Sequence, residues 1–473
     1  MLKLFNTLTK TVEPFIPLHE GKVGMYSCGP TVYDYVHIGN IRAYIFVDLL
    51  KRYLLFSGYK LTHVMNITDV DDKTIKRSQS LGKSLRDFTE FYYEEFLKNL
   101  ESVNILPADI LPKATDHVSE MTKMIEELKE KGFAYSLDGS TYYSIEKFQN
   151  YGQLAGLDHV ETMNMQTEKS DEYSKESVRD FALWKGWDSA DGDVFWETTL
   201  GKGRPGWHIE CSAMSTKYLG NSFDIHCGGV DLIFPHHTNE IAQTEAATNE
   251  PFVKYWLHNE HLLVEGEKMS KSLNNFITLQ QLIDEGVNPI LVRILLQKTH
   301  YRQRLNFTRK GLSEVASMAD RIVRAVHILN QSASSNQSLD IDNFIKSNLE
   351  AFTVAMDDDL NISEAYSVLF SVIEFIEKNR DQITNELASK LKAHLDHLDE
   401  VFGFINKLYS IYTEKLELVN ESTEVLNLLQ KRGEYRAGKN YEKADEVRKE
   451  LALKNVTVKD TPTGTTIDLI TIF

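Results

Sequence analysis

Two short runs are equipped for phosphate chemistry: His37-Ile38-Gly39-Asn40 near the start, and Lys268-Met269-Ser270-Lys271-Ser272 past the middle. The first places a glycine just ahead of an apolar helical run, where unpaired amides and the positive end of a helix face any bound anion. The second sets two lysines around hydroxyls, which suits the grip of a flexible polyphosphate. A third group is dispersed: Cys28, Cys211 within Gly206-Trp207-His208-Ile209-Glu210-Cys211-Ser212, and His236 with Glu240, four apart and therefore on one face of a helix. Two thiolates, an imidazole and a carboxylate can make a tetrahedral zinc site. Spacing alone does not establish one, because stand-alone zinc motifs use closely spaced pairs. On spacing alone each cysteine reads as a small buried hydrophobe and His236-His237 as a pair at a helix start.

The elements that must position these groups follow from the hydrophobic pattern. Residues 23–28 alternate as a short strand, ended by Gly29-Pro30. Apolar residues recur at helical spacing over 41–56 (Ile45, Leu49, Tyr53, Phe56), and Gly58 stops that helix. Residues 61–67 predict a second strand, with Thr68 as the cap of a helix beginning near Asp69. Strand, glycine-bearing turn, helix and strand form the phosphate-binding half of a doubly wound α/β sheet. Between 113 and 200 the texture changes to a helix over 118–131, a hairpin through 140–145 and a polar run over 166–178 that reads as an exposed loop. This is an insertion between two halves of a nucleotide-binding sheet. The α/β pattern resumes near Gly206, with a strand over 222–226.

Past Gly286 the pattern is almost entirely helical, with amphipathic segments at 311–329 and 363–378 and a flexible connector over 330–337. Residues 426–473 are small and mixed: a charged helix, then strands around Val456-Thr457-Val458 and Ile467-Asp468-Leu469-Ile470.

Bulk properties set limits on function. A chain of 473 residues exceeds one core and predicts three or four domains. Its 42% hydrophobic and 26% charged residues are those of a water-soluble protein. No apolar run reaches the length of a membrane span, and the start lacks a secretory stretch, so no membrane partner is expected. Three dispersed cysteines, Cys28, Cys211 and Cys227, predict reduced thiols in a cytoplasm. The net charge of −17 repels nucleic acid at long range, so RNA contacts must come from a local patch. Residues 431–459 supply one, with nine Lys or Arg against five Asp or Glu.

The ordered pair of phosphate loops resembles the HIGH and KMSKS signatures of class I aminoacyl-tRNA synthetases. The likeness extends along almost the whole chain to the bacterial cysteinyl-tRNA synthetases. The matching segments are Cys28-Gly29-Pro30-Thr31-Val32-Tyr33-Asp34, the His37 loop, Asn66-Ile67-Thr68-Asp69-Val70-Asp71-Asp72-Lys73 and the Gly206 to Ser212 run. To these are added Asp224-Ile225-His226, Phe234-Pro235-His236-His237 with Asn239-Glu240, the Lys268 loop, Met356-Asp357-Asp358-Asp359 and Asp460-Thr461-Pro462-Thr463-Gly464-Thr465. The resemblance implies a Rossmann-like doubly wound parallel sheet at 1–112 and 201–260, with an inserted connective domain at 113–200. A lysine-loop region at 261–306, a helical bundle at 307–405 and a mixed anticodon-binding domain at 406–473 would follow.

It also implies an activity: L-cysteine is joined to ATP as cysteinyl-adenylate and passed to tRNA(Cys), with Mg2+ arriving on ATP. In that family one zinc per chain sits at the bottom of the amino-acid pocket, on ligands matching Cys28, Cys211, His236 and Glu240. Cysteine and serine differ by one atom, which pocket shape separates only modestly, whereas zinc prefers a soft thiolate. The ATP phosphates are assigned to His37 and Asn40, close approach of the backbone to adenine to Gly39, and the leaving pyrophosphate to Lys268 and Lys271. Thr68, Trp207 and His226 are expected beside the substrate cysteine and Asp231 at its ammonium. The plainer alternatives are a helix cap for Thr68 and core packing for Trp207. Arg432, Arg436, Lys439 and Arg448 are expected on tRNA backbone, with Tyr435 and Tyr441 stacking on unpaired bases, though a solvated helix face explains the same residues. A monomer is expected, as is common in the family.

Two positions depart from the family pattern. Cys227 stands where glycine is expected and is read as inert packing in preference to a competing ligand, and Asn274 replaces a glycine in the lysine loop; Asn40 in place of a second histidine is found in many members of the family. Two other functions compete. One is the ligase that joins cysteine to an amino sugar in mycothiol synthesis, which lacks the helical tail; the other is a non-catalytic tRNA-binding relative, in which the phosphate loops or metal set would be eroded.

Overall fold

A computed structural model describes residues 1–157, 180–269, 275–331, 341–461 and 464–473. The expected loop at 166–178, most of the connector at 330–337, and Ser270 to Asn274 with Lys271 lie outside the described residues. The chain divides into two compact units. The first is Met1–Pro289 with Leu296–Phe307 and Thr353–Glu364; the second is Ile290–Leu295, Thr308–Phe352 and Ala365–Phe473.

The first unit opens on a hairpin, β1 (Lys3–Asn6) and β2 (Thr11–Pro14). Strand β3 (Lys22–Ser27), helix α1 (Ile38–Phe56) and strand β4 (Lys60–Met65) follow as the sequence predicts. Helix α1 starts three residues earlier than its apolar period suggests, because His37 caps it: the His37 Nδ1 accepts the Asn40 amide at 3.2 Å. Ile38, Gly39 and Asn40 are therefore its first turn. Thr68 caps nothing. Helix α2 (Asp72–Ser80) is started by Asp71, whose carboxylate accepts the Thr74 amide while the Thr74 hydroxyl accepts the Asp71 amide. Helices α3 (Leu85–Ser102) and α4 (Val118–Glu130) come next.

The insertion is a five-stranded antiparallel sheet in the order β5-β6-β7-β9-β8, formed by β5 (Ala134–Leu137), β6 (Ser140–Tyr143), β7 (Phe181–Gly186), β8 (Trp196–Thr198) and β9 (Gly201–Pro205). Residues 201–205 thus pair with the insertion. Its core joins Met121, Ile125 and Leu128 of α4 to Tyr143 and Trp184.

The chain then returns through α5 (Trp207–Leu219), β10 (Phe223–Gly229), α6 (Thr238–Thr248) and β11 (Val253–Asn259). Strands β11, β10, β3 and β4 stand side by side in that order, all parallel. Six of the seven β10 residues are buried, as a strand covered on both faces requires. Neighbours β3 and β10 are connected to strands on opposite sides, so a crevice opens above their C-terminal ends. A small sheet beside it pairs β12 (Leu262–Val264) with β13 (Glu267–Lys268) and with β14 (Leu305–Phe307).

The second unit is helical, with long helices Arg309–Asn330, Asn385–Phe402 and Ile405–Glu421. Asp399 starts the last of these by accepting the amides of Phe404, Ile405 and Asn406 at 2.7–3.0 Å. Helices Thr423–Ala437 and Tyr441–Leu453 then pack on the hairpin of β15 (Val456–Thr461) and β16 (Gly464–Leu469). Among the described residues no helix is long and apolar enough to cross a membrane.

Candidate active site

The crevice above β3 and β10 is a cleft of about 750 Å³, lined by Cys28 and Cys211 at one place and by His37, Gly39, Asn40 and Lys268 at another. Cys28 follows the last residue of β3, Cys211 lies on the buried face of α5, and His236 and Glu240 lie at the entry and first turn of α6. One donor atom from each of these four lies within 4.8 Å of the other three. The fold thus gathers residues that spacing alone left as separate core positions.

Two glycines are required by this packing. A Cβ on Gly29 would sit 1.7 Å from the Asn66 carbonyl oxygen, so the chain beyond Cys28 could not lie against β4. A Cβ on Gly39 would press at 3.0 Å on the His37 ring and 3.2 Å on the Met269 methyl.

Around the four donors is a buried polar network. The Glu240 carboxylate touches His226 Nε2 with Oε2 at 2.9 Å and His236 Nε2 with Oε1 at 3.0 Å. His236 Nδ1 meets His208 Nδ1 at 2.9 Å, and the Trp207 ring stacks on the His236 ring at 4.2 Å. On the other side Cys28 Sγ lies 3.3 Å from His237 Nε2, His237 Nδ1 lies 2.8 Å from His258 Nε2, and His258 Nδ1 lies 2.8 Å from the Thr7 hydroxyl. Burial drives the His208 and His237 imidazoles well down and brings His258 to about 3, so these three rings are neutral at pH 7. Burial also opposes charge on His236 and Glu240, but each offsets the penalty for the other. The Glu240 carboxylate beside it raises His236 to about 10, and the contacts with His226 and His236 hold Glu240 at about 2.

The donor set fits a zinc ion. It offers two soft sulfurs, a borderline imidazole and one carboxylate, and Glu240 Oε1 makes no hydrogen bond of good geometry although it is wholly buried. His226, His237, Cys28 and Glu240 form a second overlapping set that shares two members with the first. Cys227, on β10 opposite Ser27, is buried, lies outside both sets and has its thiol pKa raised by burial.

The other expected residues are distributed as follows. Trp207 and Asp231 line the cleft with the metal group. His226 is wholly buried behind Glu240, and Thr68 is 1% exposed with its hydroxyl donated to Glu210 Oε2 at 2.7 Å, so neither is among the residues lining the cleft. Glu210 is a buried carboxyl that sequence reading did not single out; desolvation pushes its pKa well up. Arg432 is 5% exposed and is a tether: its guanidinium holds both oxygens of Asp460 at 2.6 and 3.0 Å. Arg436, Lys439 and Arg448 are exposed, as is Tyr441, while Tyr435 is half-buried under Lys443.

Residues 14–317 match the family profile described as the tRNA synthetase class I (C) catalytic domain, and residues 351–406 match the DALR domain. A protein of Brachyspira hyodysenteriae named cysteine–tRNA ligase is 46% identical over 97% of this chain and 98% of its own length. This chain belongs to the cysteine–tRNA ligase family of class I synthetases. Relatives of the same name from Chlamydia trachomatis and Koribacter versatilis are 44% and 40% identical, each over 98% of both chains. Among solved structures, methionyl-tRNA synthetase of Mycobacterium tuberculosis bound to methionyl-adenylate superposes with a TM-score of 0.60 over 85% of this chain and 94% of its own. At 13% identity that match speaks for the class I fold alone.

Proposed function

We propose that this chain activates L-cysteine with ATP and charges tRNA(Cys). The observation that carries this reading is the meeting, in one cleft, of a thiolate-rich metal set with the His37 and Lys268 runs. In the first step a carboxylate oxygen of cysteine attacks the α-phosphorus of ATP, the bond to the bridging oxygen breaks, and pyrophosphate leaves. In the second, a hydroxyl of the 3′-terminal adenosine attacks the activated carbonyl and AMP leaves.

The protein's contribution is alignment and charge stabilisation. The first turn of α1, from Ile38 to Asn40, turns the positive helix end toward the triphosphate. Lys268 and Lys271 neutralise the leaving pyrophosphate. Asp231, on the cleft wall, holds the substrate ammonium, and Trp207 closes the side of the pocket against His236. Thr68, donating to Glu210, and His226, bonded to Glu240, act from behind the pocket wall by fixing the groups in front of them.

Cys28, Cys211, His236 and Glu240 would hold one zinc ion, whose chemistry there is a Lewis acid that takes a soft thiolate in preference to a hydroxyl. Magnesium comes with ATP. Arg436, Lys439 and Arg448 contact tRNA backbone from the exposed side of the last two helices. The enzyme acts as a monomer in the cytoplasm, the compartment in keeping with three cysteines outside any disulfide. The amino-sugar alternative is disfavoured, since the likeness to tRNA ligases runs through the helical tail.

The test is cysteine-dependent ATP–pyrophosphate exchange together with charging of tRNA(Cys). Wild-type protein performs both, and Lys271→Ala lowers exchange by about a hundredfold, the scale of losing one positioned charge. Exchange untouched in that variant, or absent in folded wild-type protein, overturns the reading.

A further inference from the structure

We propose that Arg42 is a positioning residue that couples the two phosphate-binding runs, setting the place of Lys268 relative to the first turn of α1. The inference rests on the reading that Lys268 faces the leaving pyrophosphate.

Arg42 is two residues beyond Asn40 on α1 and is 2% exposed. Its guanidinium donates from Nη1 to the carbonyl oxygens of Glu260 at 2.8 Å and His261 at 2.6 Å, and from Nη2 to the carbonyl of Gln303. Those three carbonyls mark the two places where chain enters the small sheet beside the cleft. Glu260 and His261 lead directly into β12, and Gln303 precedes β14 by two residues. Within that sheet Leu263 pairs with Lys268, and Val264 pairs with both Glu267 and Phe307. The sheet that carries Lys268 is therefore anchored at both entry points by one side chain of the helix whose first turn holds Gly39 and Asn40. Glu260, His261, Leu262 and Leu263 also line the cleft, so a shift of this anchor alters the wall that faces ATP.

The chemistry of the anchor demands arginine. Three carbonyls on two separate segments are met at once from two nitrogens of a planar fork, whereas the ammonium of lysine offers only one nitrogen from which to reach both segments. Burial lowers the Arg42 pKa to about 10, which leaves it charged at pH 7, so the carbonyl dipoles solvate a full cation. Among the described residues no carboxylate oxygen is hydrogen-bonded to it; its hydrogen-bond partners are backbone groups whose positions it fixes. A second link acts on the far end of the same sheet: the Asn306 side-chain oxygen accepts the amide of Gly266, at the turn between β12 and β13, at 2.8 Å. Asn306 is exposed on β14, outside the core.

The experiment is ATP–pyrophosphate exchange by full-length Arg42→Lys and Asn306→Ala, with kcat and KM measured separately for ATP and for cysteine. Melting temperature and bound metal are recorded in parallel. Arg42→Lys is expected to lower kcat/KM for ATP at least tenfold while KM for cysteine stays within twofold and bound metal is retained. Asn306→Ala, a surface change, is expected to give the same ATP-specific defect at about threefold, which keeps the test open if the lysine variant fails to fold. Wild-type kinetics in both folded variants, or a loss shared equally between cysteine and ATP, overturns the inference. Lys268→Ala as a companion separates the two failures. If that variant is also unimpaired, the reading of the lysine run itself is wrong; if it alone is impaired, only the coupling through Arg42 is lost.

Discussion

At the scale of single residues, the site is set by opposing shifts among neighbours in one buried cluster. Without metal, Glu240 keeps His236 protonated at pH 7, and burial keeps the Cys211 thiol protonated; Cys28 is raised too, although a hydrogen bond shared with Cys211 works the other way. A metal must displace those protons, since its ligands are a neutral imidazole and thiolates. The sign follows: proton and metal compete, so apparent affinity falls as pH falls from 8 to 6. Calorimetry in buffers of different ionisation enthalpy should find about three protons released per zinc at pH 7; release near zero would mean that the donors are ionised already. Glu210 gives a second prediction. Desolvation pushes the pKa of its carboxyl well up and it accepts the Thr68 hydroxyl, so Glu210→Gln, an uncharged group of the same shape, should change unfolding free energy by less than about 1 kcal/mol. Glu210→Ala, which leaves the buried hydroxyl without its acceptor, should cost about 2–3 kcal/mol by denaturant titration.

At the scale of elements, what the sequence made legible depended on whether contacts are local. The β3, α1 and β4 succession was readable because Val23, Met25, Ile45 and Leu49 repeat at strand and helix periods, and these residues are indeed buried. The start of α1 was misplaced because its cap is an imidazole, an unusual capping group, and Thr68 seemed a better cap than Asp71 only on residue type. The metal set was half legible: His236 and Glu240 share a face at i, i+4, but only the crossing of β3, α5 and α6 brings Cys28 and Cys211 to them. Glu210, His258 and Arg42 carried no signal, since each meets partners from distant elements. The tail offers a test at this scale. Arg432 ties helix Thr423–Ala437 to β15 through Asp460, whose carboxyl is held below the usual range by that pair. A depressed carboxyl contributes stability that is present above the unfolded value and is lost as pH falls below about 4. Since Asp460 is a third exposed, screening limits the effect to about 1 kcal/mol. Hydrogen exchange at β15 and β16 should therefore quicken in acid, and Asp460→Asn should show the faster exchange already at pH 7. An acid response retained in that variant would assign it to another group.

At the scale of the whole molecule, a chain of net charge −17 must bind a polyanion through local surfaces. On the proposed reading, the exposed arginines and lysines near the end of the chain would neutralise phosphates and release counterions, so tRNA affinity should fall steeply with salt. Three to five such contacts predict roughly a tenfold or greater loss between 50 and 200 mM salt in a filter-binding titration; a dissociation constant indifferent to salt would exclude phosphate contacts as the source of affinity.

The measurement that bears most directly on the account is metal content of purified, active enzyme, read alongside activation of cysteine and of serine. The account predicts one zinc per chain, with cysteine activated and serine ignored, and loss of cysteine activation when a chelator strips the metal. Enzyme that activates cysteine selectively while free of metal would contradict it, because Cys28, Cys211, His236 and Glu240 would then be only a packed polar core.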